Sequence, residues 1–211
     1  MHSLWLPLLL MGVLLAFVMV LGVRRMRAIA SAGFQECEGS DQQIGRLMQA
    51  AFELQPRQVY RKRQADALER LVELHAKGTE DPDPTVLVYP LQTGELPEIA
   101  LLRSYRSIPS ALLRLSGGLF GRLRPATETE ITLPKGTNWF VYRDPDALPP
   151  NAVTTALCES TTLPEERGLY GIALTSGYLI IWTDRSVRSL LAAGPKIHAR
   201  LLNALSKLTY H

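Results

Sequence analysis

The sequence predicts a mixed α+β protein: a single N-terminal transmembrane helix, then one soluble α+β domain whose C-terminal helix packs on a sheet. Three observations carry this prediction. Leu4 to Val23 is an uncharged apolar run of about 20 residues, the length that crosses a hydrocarbon core. Segments rich in β-branched and aromatic residues recur in the remainder, separated by turns containing Pro and Gly. Near the C-terminus, Ile197, Leu201, Leu202, Leu205 and Leu208 repeat at helical spacing. A chain of 211 residues has room for one membrane segment and one core of ordinary size. Residues 1–27 are therefore assigned to the anchor with its basic stop, and 28–211 to the domain.

Pro7 falls in the first turns of the anchor helix, where a missing N–H costs little, and Trp5 suits an interface. A cleavable signal peptide is the rival reading, since Ala28-Ile29-Ala30 and Ala30-Ser31-Ala32 resemble cleavage sites. Three features oppose it: Met1-His2-Ser3 has no cation, the apolar run is longer than a signal core, and Arg24, Arg25 and Arg27 follow the run. The same three arginines orient the helix. By the positive-inside rule they place the N-terminus outside and the domain in the cytoplasm of a cell whose inner membrane holds the anchor.

Within the domain, Ser40 or Asp41 is positioned to cap a helix running to about Phe52, with Ile44, Leu47, Met48 and Ala51 on one face and Pro56 ending it. The stretch from Tyr60 to Ala76 admits both helix and strand. Leu68, Leu71, Val72 and His75 fit a helix, whereas Val72, Leu74 and Ala76 alternate. After a Gly78–Pro84 loop, Thr85 to Leu91 reads as a buried strand, and Glu98 to Tyr105 as another. Asn138 to Tyr142 is strand-like, and Pro149-Pro150 precede a helix through Cys158. Gly168–Leu174 and Tyr178–Asp184 flank a tight connection at Thr175-Ser176-Gly177, whose Gly supplies a positive φ. Ser186 to Ala193 reads as a short helical turn ended by Gly194-Pro195, ahead of the final helix.

Gly33-Phe34, Tyr60–Gln64, Leu71–His75, Thr85–Leu91, Glu95–Leu102, Phe140–Tyr142 and the Leu179–Trp182 strand before a leucine-rich helix resemble a loose group of bacterial membrane-anchored proteins of unknown function. These carry one or two N-terminal helices and an α+β cytoplasmic domain. The resemblance implies strands for Tyr60 to His75 and transfers no functional residue.

Nothing in the sequence marks a familiar reaction centre. It contains no GxSxG elbow, HExxH, phosphate-binding loop or dinucleotide fingerprint. Of four histidines, His2 and His211 are terminal, leaving His75 and His198 without ligand spacing to Cys37 or Cys158. Two distant thiols fit a reducing compartment, or one disulfide in an oxidising one. The prolines between Glu80, Asp81 and Asp83 break a calcium-loop pattern, and Asp144-Pro145-Asp146 reads as a turn. No cofactor or metal is implied. A net charge of +3 is too small, and too mixed with acids, to imply nucleic acid.

The most distinctive segment is Ile99 to Arg124, with Arg103, Arg106, Arg114, Arg122 and Arg124 interleaved with leucines and no acid. Its arginines and Leu119, Phe120 and Leu123 suit contact with an anionic leaflet or a partner. Alternatively, its leucines fill the core. A further basic cluster, Arg57, Arg61, Lys62 and Arg63, reads as a solvated face.

An anchor joined to a motif-poor domain leads to the expectation of a non-enzymatic, membrane-tethered interaction module. Such a module would be an accessory or assembly subunit of a membrane protein complex, with the bilayer and a protein in it as partners. The alternative is a membrane-bound enzyme or ligand sensor whose site is assembled from dispersed residues.

Overall fold

The computed structural model describes residues 5–37, 41–64, 67–74, 84–91, 96–103, 118–126, 139–144, 146, 151–161, 169, 171–183 and 186–208. The expected acidic loop at 80–83 and the segment 104–117, including Arg106 and Arg114, lie outside them, as do His75, Ala76 and Lys77.

The elements in chain order are α1 (Trp5–Ser31), β1 (Gln35–Glu36), α2 (Gln42–Phe52), β2 (Pro56–Gln64), β3 (Ala67–Leu74), β4 (Thr85–Pro90), β5 (Ile99–Leu102), α3 (Gly118–Arg122), β6 (Arg124–Pro125), β7 (Phe140–Arg143), α4 (Asn151–Ser160), β8 (Gly171–Thr175), β9 (Tyr178–Thr183) and α5 (Val187–Leu208). The strands form one antiparallel nine-stranded sheet in the order β1-β2-β3-β4-β9-β8-β5-β7-β6. The mixed α+β class with a C-terminal helix on a sheet is thus the observed one.

Helices cover both faces of this sheet. On one face α2 and α3 bury Ile44, Met48, Phe52 and Leu119 against Val72, Val86, Val88 and Trp182. On the other, α4, α5 and the end of α1 bury Leu157, Ile197, Leu201 and Ile29 against Leu71, Leu87, Ile172 and Ile181. Double coverage explains the central strands. β4, β8 and β9 read as continuous apolar runs because neither face meets water.

The ambiguous segment after Tyr60 is two strands, as the resemblance implied. β2 and β3 pair from Pro56↔Leu74 to Gln64↔Ala67, with a bulge between Pro56 and Gln58. Tyr60 and Leu71 enter one core, Val59, Val72 and Leu74 the other. A helix over these residues would have put Leu71 and Val72 on one stripe, leaving one of the two cores unfilled.

Asp41 caps α2, accepting from the Ile44 N–H at 3.2 Å. The helix ends at Glu53, which turns left-handed (φ 54°) and donates its N–H to Gln49. The expected hairpin is present. β8 and β9 pair from Thr175↔Tyr178 outward around Ser176 and Gly177, whose φ values of 49° and 77° are those of a two-residue type I′ loop.

One expectation is corrected. Gly194-Pro195 does not interrupt the C-terminal helix: α5 runs unbroken from Val187 to Leu208 with Pro195 inside it. Packing overrides local propensity here. Gly194 presses against Leu87 and Tyr89 in β4, an approach that only a residue without a Cβ permits, and helix on both sides is buried through Leu190, Ala193, Ile197 and Leu201.

Candidate functional site

Helix α1 is long and apolar enough to cross a membrane. Its side chains from Trp5 to Val23 are exposed, so no protein core claims them. Its last two turns behave differently. Ile29, within the expected domain bounds of 28–211, is 1% exposed and belongs to the domain core while still part of α1.

The three arginines that follow the apolar run separate into different roles at this junction. Arg25 forms an ion pair with Glu73 at 2.8 Å and donates to the Thr85 hydroxyl at 3.0 Å, fastening α1 to β3 and β4. Next to it, the Tyr60 hydroxyl points at the Met26 sulfur, 3.7 Å away. Burial, reinforced by the charge of Glu73, pushes the Tyr60 phenol up to about 12, keeping it neutral. Arg24 and Arg27 remain exposed.

Beneath α1 and α5, Lys62 lies over the Phe34 ring, 5.7 Å from its centroid, and 3.9 Å from Glu69. Burial raises the Glu69 carboxyl above its ordinary range while Lys62 opposes the shift. Tyr89 stacks on His198 with centroids 4.3 Å apart. Burial holds the His198 imidazole below its usual value. Among the described residues the Tyr89 hydroxyl and His198 Nε2 find no hydrogen-bond partner.

The opposite face carries a cleft of about 870 Å³ between the polar side of α2 and the β1–β2 edge. Arg46, Gln49, Gln55, Gln58, Glu36 and Cys37 line it. Its inner wall is braced by Asp41, which accepts from Arg70 Nε at 2.7 Å and lies 3.4 Å from Arg61. Burial alone would raise the Asp41 carboxyl, but the Arg70 and Ile44 hydrogen bonds and the charges of Arg70 and Arg61 hold it below its ordinary value. The cleft is therefore lined by amides and fixed charges. Its one thiol, Cys37, is raised by burial and so is a poor nucleophile at neutral pH. Among the described residues no group of three or more His, Cys, Asp or Glu could hold a metal.

Of the Ile99–Arg124 residues, Leu119 and Leu123 are buried against α2, on the core side of that stretch. Arg122 pairs with Glu98 at 3.2 Å, and Glu98 in turn accepts from Thr175 at 2.6 Å. Arg124 lies exposed in the short β6, and Phe120 belongs to α3. The Arg57–Arg63 cluster is not a uniform solvated face, because Arg61 pairs with Asp41 and Lys62 with Glu69 on opposite sides of β2. That division was legible only as strand alternation, which requires knowing first that the segment is a strand.

No family model matches the chain, and no curated protein is similar to it at a meaningful level. Among solved structures it is similar to the crystal structure of the mycobacterial trehalose monomycolate transport factor A. The likeness covers 88% of this chain and 94% of that one, with a TM-score of 0.55 and 13% identity. At that identity the chain shares with the mycobacterial factor its fold, an α+β domain built on one antiparallel sheet.

Proposed function

We propose that the protein is a non-enzymatic, membrane-anchored accessory subunit that holds a partner in a transport-related membrane complex. One observation carries the reading: the last turns of the anchor are fixed to the domain by the Arg25–Glu73 ion pair, the Met26–Tyr60 contact and the burial of Ile29 in the core. A flexible tether would let the domain roam. An anchor continuous with the core holds it at one height and orientation above the bilayer, which is what a scaffold in a membrane assembly needs. The structural neighbour is named a transport factor, and this supports the class of assembly. Arg24, Arg25 and Arg27 favour a domain on the cytoplasmic side.

The polar cleft beside α2 is the surface we assign to the partner, since its glutamines and Arg46 offer donors and acceptors to a backbone segment. Its size equally suits a small polar ligand, the observation that favours a ligand sensor as second reading. Native sizing and mass spectrometry of the full-length protein, extracted from its own membranes in mild detergent, test the proposal. We expect a complex with a reproducible membrane partner, lost in an Arg46→Glu, Gln49→Glu variant that still folds. A strict monomer overturns it, and a bound small molecule in place of a protein favours the second reading.

A further inference from the structure

A second concavity, about 480 Å³, lies where α1 meets α5. Its floor is apolar and shallow, formed by Ala28 and Ala32 from α1 and Leu191 and Ala192 from α5. Two cations line it, Arg27 from α1 and Arg188 from the first turn of α5. Both are exposed, and among the described residues neither has an acidic partner and no acid lines the groove. Ser31 also lines it, but its hydroxyl donates to the Ala28 carbonyl at 3.0 Å, which leaves the guanidiniums as the free donors.

Depth identifies the occupant. The apolar run ends at Val23, and Arg27 follows four residues later, about 6 Å further along the helix axis. The polar layer of one leaflet is roughly 5–7 Å thick, so Arg27 stands at the level of the lipid phosphates. Because Arg25 and Ile29 fasten α1 to the sheet, α5 is held beside that level and Arg188 cannot drift from it. Two guanidiniums at phosphate depth, beside a small apolar floor, are complementary to an anionic head group and the first methylenes below it.

We propose that the α1–α5 groove binds the phosphate of an anionic phospholipid from the leaflet in which the helix ends, with Arg27 and Arg188 as its ligands. This rests on α1 crossing the membrane, and adds to the accessory role a lipid requirement for the domain's orientation. The site is small, and its specificity is for charge. A zwitterionic lipid brings its own cation to the two arginines and is discriminated against.

The test uses the full chain in nanodiscs of mixed phosphatidylglycerol and phosphatidylcholine, with retained lipid read by native mass spectrometry. The expected result is one retained phosphatidylglycerol per protein. Its retention should fall about fivefold in Arg27→Gln or Arg188→Gln and about thirtyfold in the double variant, with Lys207→Gln, an exposed cation near the far end of α5, unchanged. Equal retention of phosphatidylcholine, or an unaltered double variant with a wild-type melting profile, overturns the proposal. So does competition in which free inorganic phosphate binds while phosphatidylglycerol does not. Alkaline carbonate extraction of native membranes separates the premises. Release of the protein overturns both the anchor and the groove, whereas a protein that stays integral but ignores anionic lipid overturns the groove alone.

Discussion

Arg25 and Glu73 meet at 2.8 Å, joining the end of the apolar helix to the third strand of the sheet. Glu73 is mostly shielded whereas Arg25 is 40% exposed at its side chain, so the pair is only partly screened by water. A double-mutant cycle with Arg25→Ala and Glu73→Ala is expected to give a coupling of about 0.5–1 kcal/mol in thermal unfolding. The larger effect should be on orientation. Spin labels placed on α1 and α5 should show a broader distance distribution in Arg25→Ala, and an unchanged distribution would mean that Ile29 alone fixes the helix.

Asp41 serves α2 and the sheet together, accepting from the Ile44 N–H and Arg70 Nε and pairing with Arg61 at 3.4 Å. Its loss removes a cap worth about 1 kcal/mol and leaves the buried Arg70 guanidinium without its carboxylate, a change that costs about 3–5 kcal/mol where a buried pair is broken. Asp41→Ala is expected to destabilise by about 3 kcal/mol or more, and Asp41→Asn by less because the cap survives. Chemical denaturation of the two variants checks the order.

Gly171 and Gly45 should respond oppositely to alanine. A Cβ on Gly171 falls within the indole of Trp182, its partner across the sheet, which is itself held by the edge of Phe52 at 5.5 Å. Gly171→Ala is expected to cost about 2–3 kcal/mol through overpacking. Gly45, inside α2, has nothing within 4 Å of such a Cβ, so Gly45→Ala should stabilise by up to about 1 kcal/mol through helix propensity. Melting temperatures moving in the same direction would contradict this packing.

His198 makes stability depend on pH in a defined direction. Burial depresses its pKa below the ordinary 6.5, so the unfolded chain binds a proton that the folded chain refuses. The stabilisation is therefore complete above 6.5 and is lost as the pH falls through the lower folded value. Glu69 acts in the opposite sense. Its carboxyl is raised above 4.5 by burial, so its contribution is greatest below 4.5 and declines as the pH rises through its folded value. Melting temperatures recorded from about pH 7 to about pH 5 in a Glu69→Gln background should fall with acid, and His198→Phe should flatten that fall. A profile that His198→Phe leaves unaltered would remove the buried imidazole as its cause.

How far the residues could be read depended on whether their signal was local. The caps, turns and single-face helices carry their own chemistry: Asp41 before an amphipathic α2, Ser176-Gly177 between two apolar strands, and the leucine stripe of α5. The Tyr60–Leu74 segment had no such signal, because helices on both sides of the sheet erase the polar alternation that marks a strand. The cleft beside α2 was illegible for a related reason, since its walls come from Glu36, Arg46 and Gln58, which only the fold assembles.

By itself the sequence determined the apolar helix, its flanking arginines and the α+β class, since length, charge and turn chemistry are properties of neighbouring residues. Tertiary structure decided the rest. It divided Arg25 from Arg27, making one a pin in the domain and the other the wall of a groove, and it drew α5 unbroken through Pro195. Those outcomes depend on which distant surfaces approach closely enough to exclude water, and no local pattern encodes that.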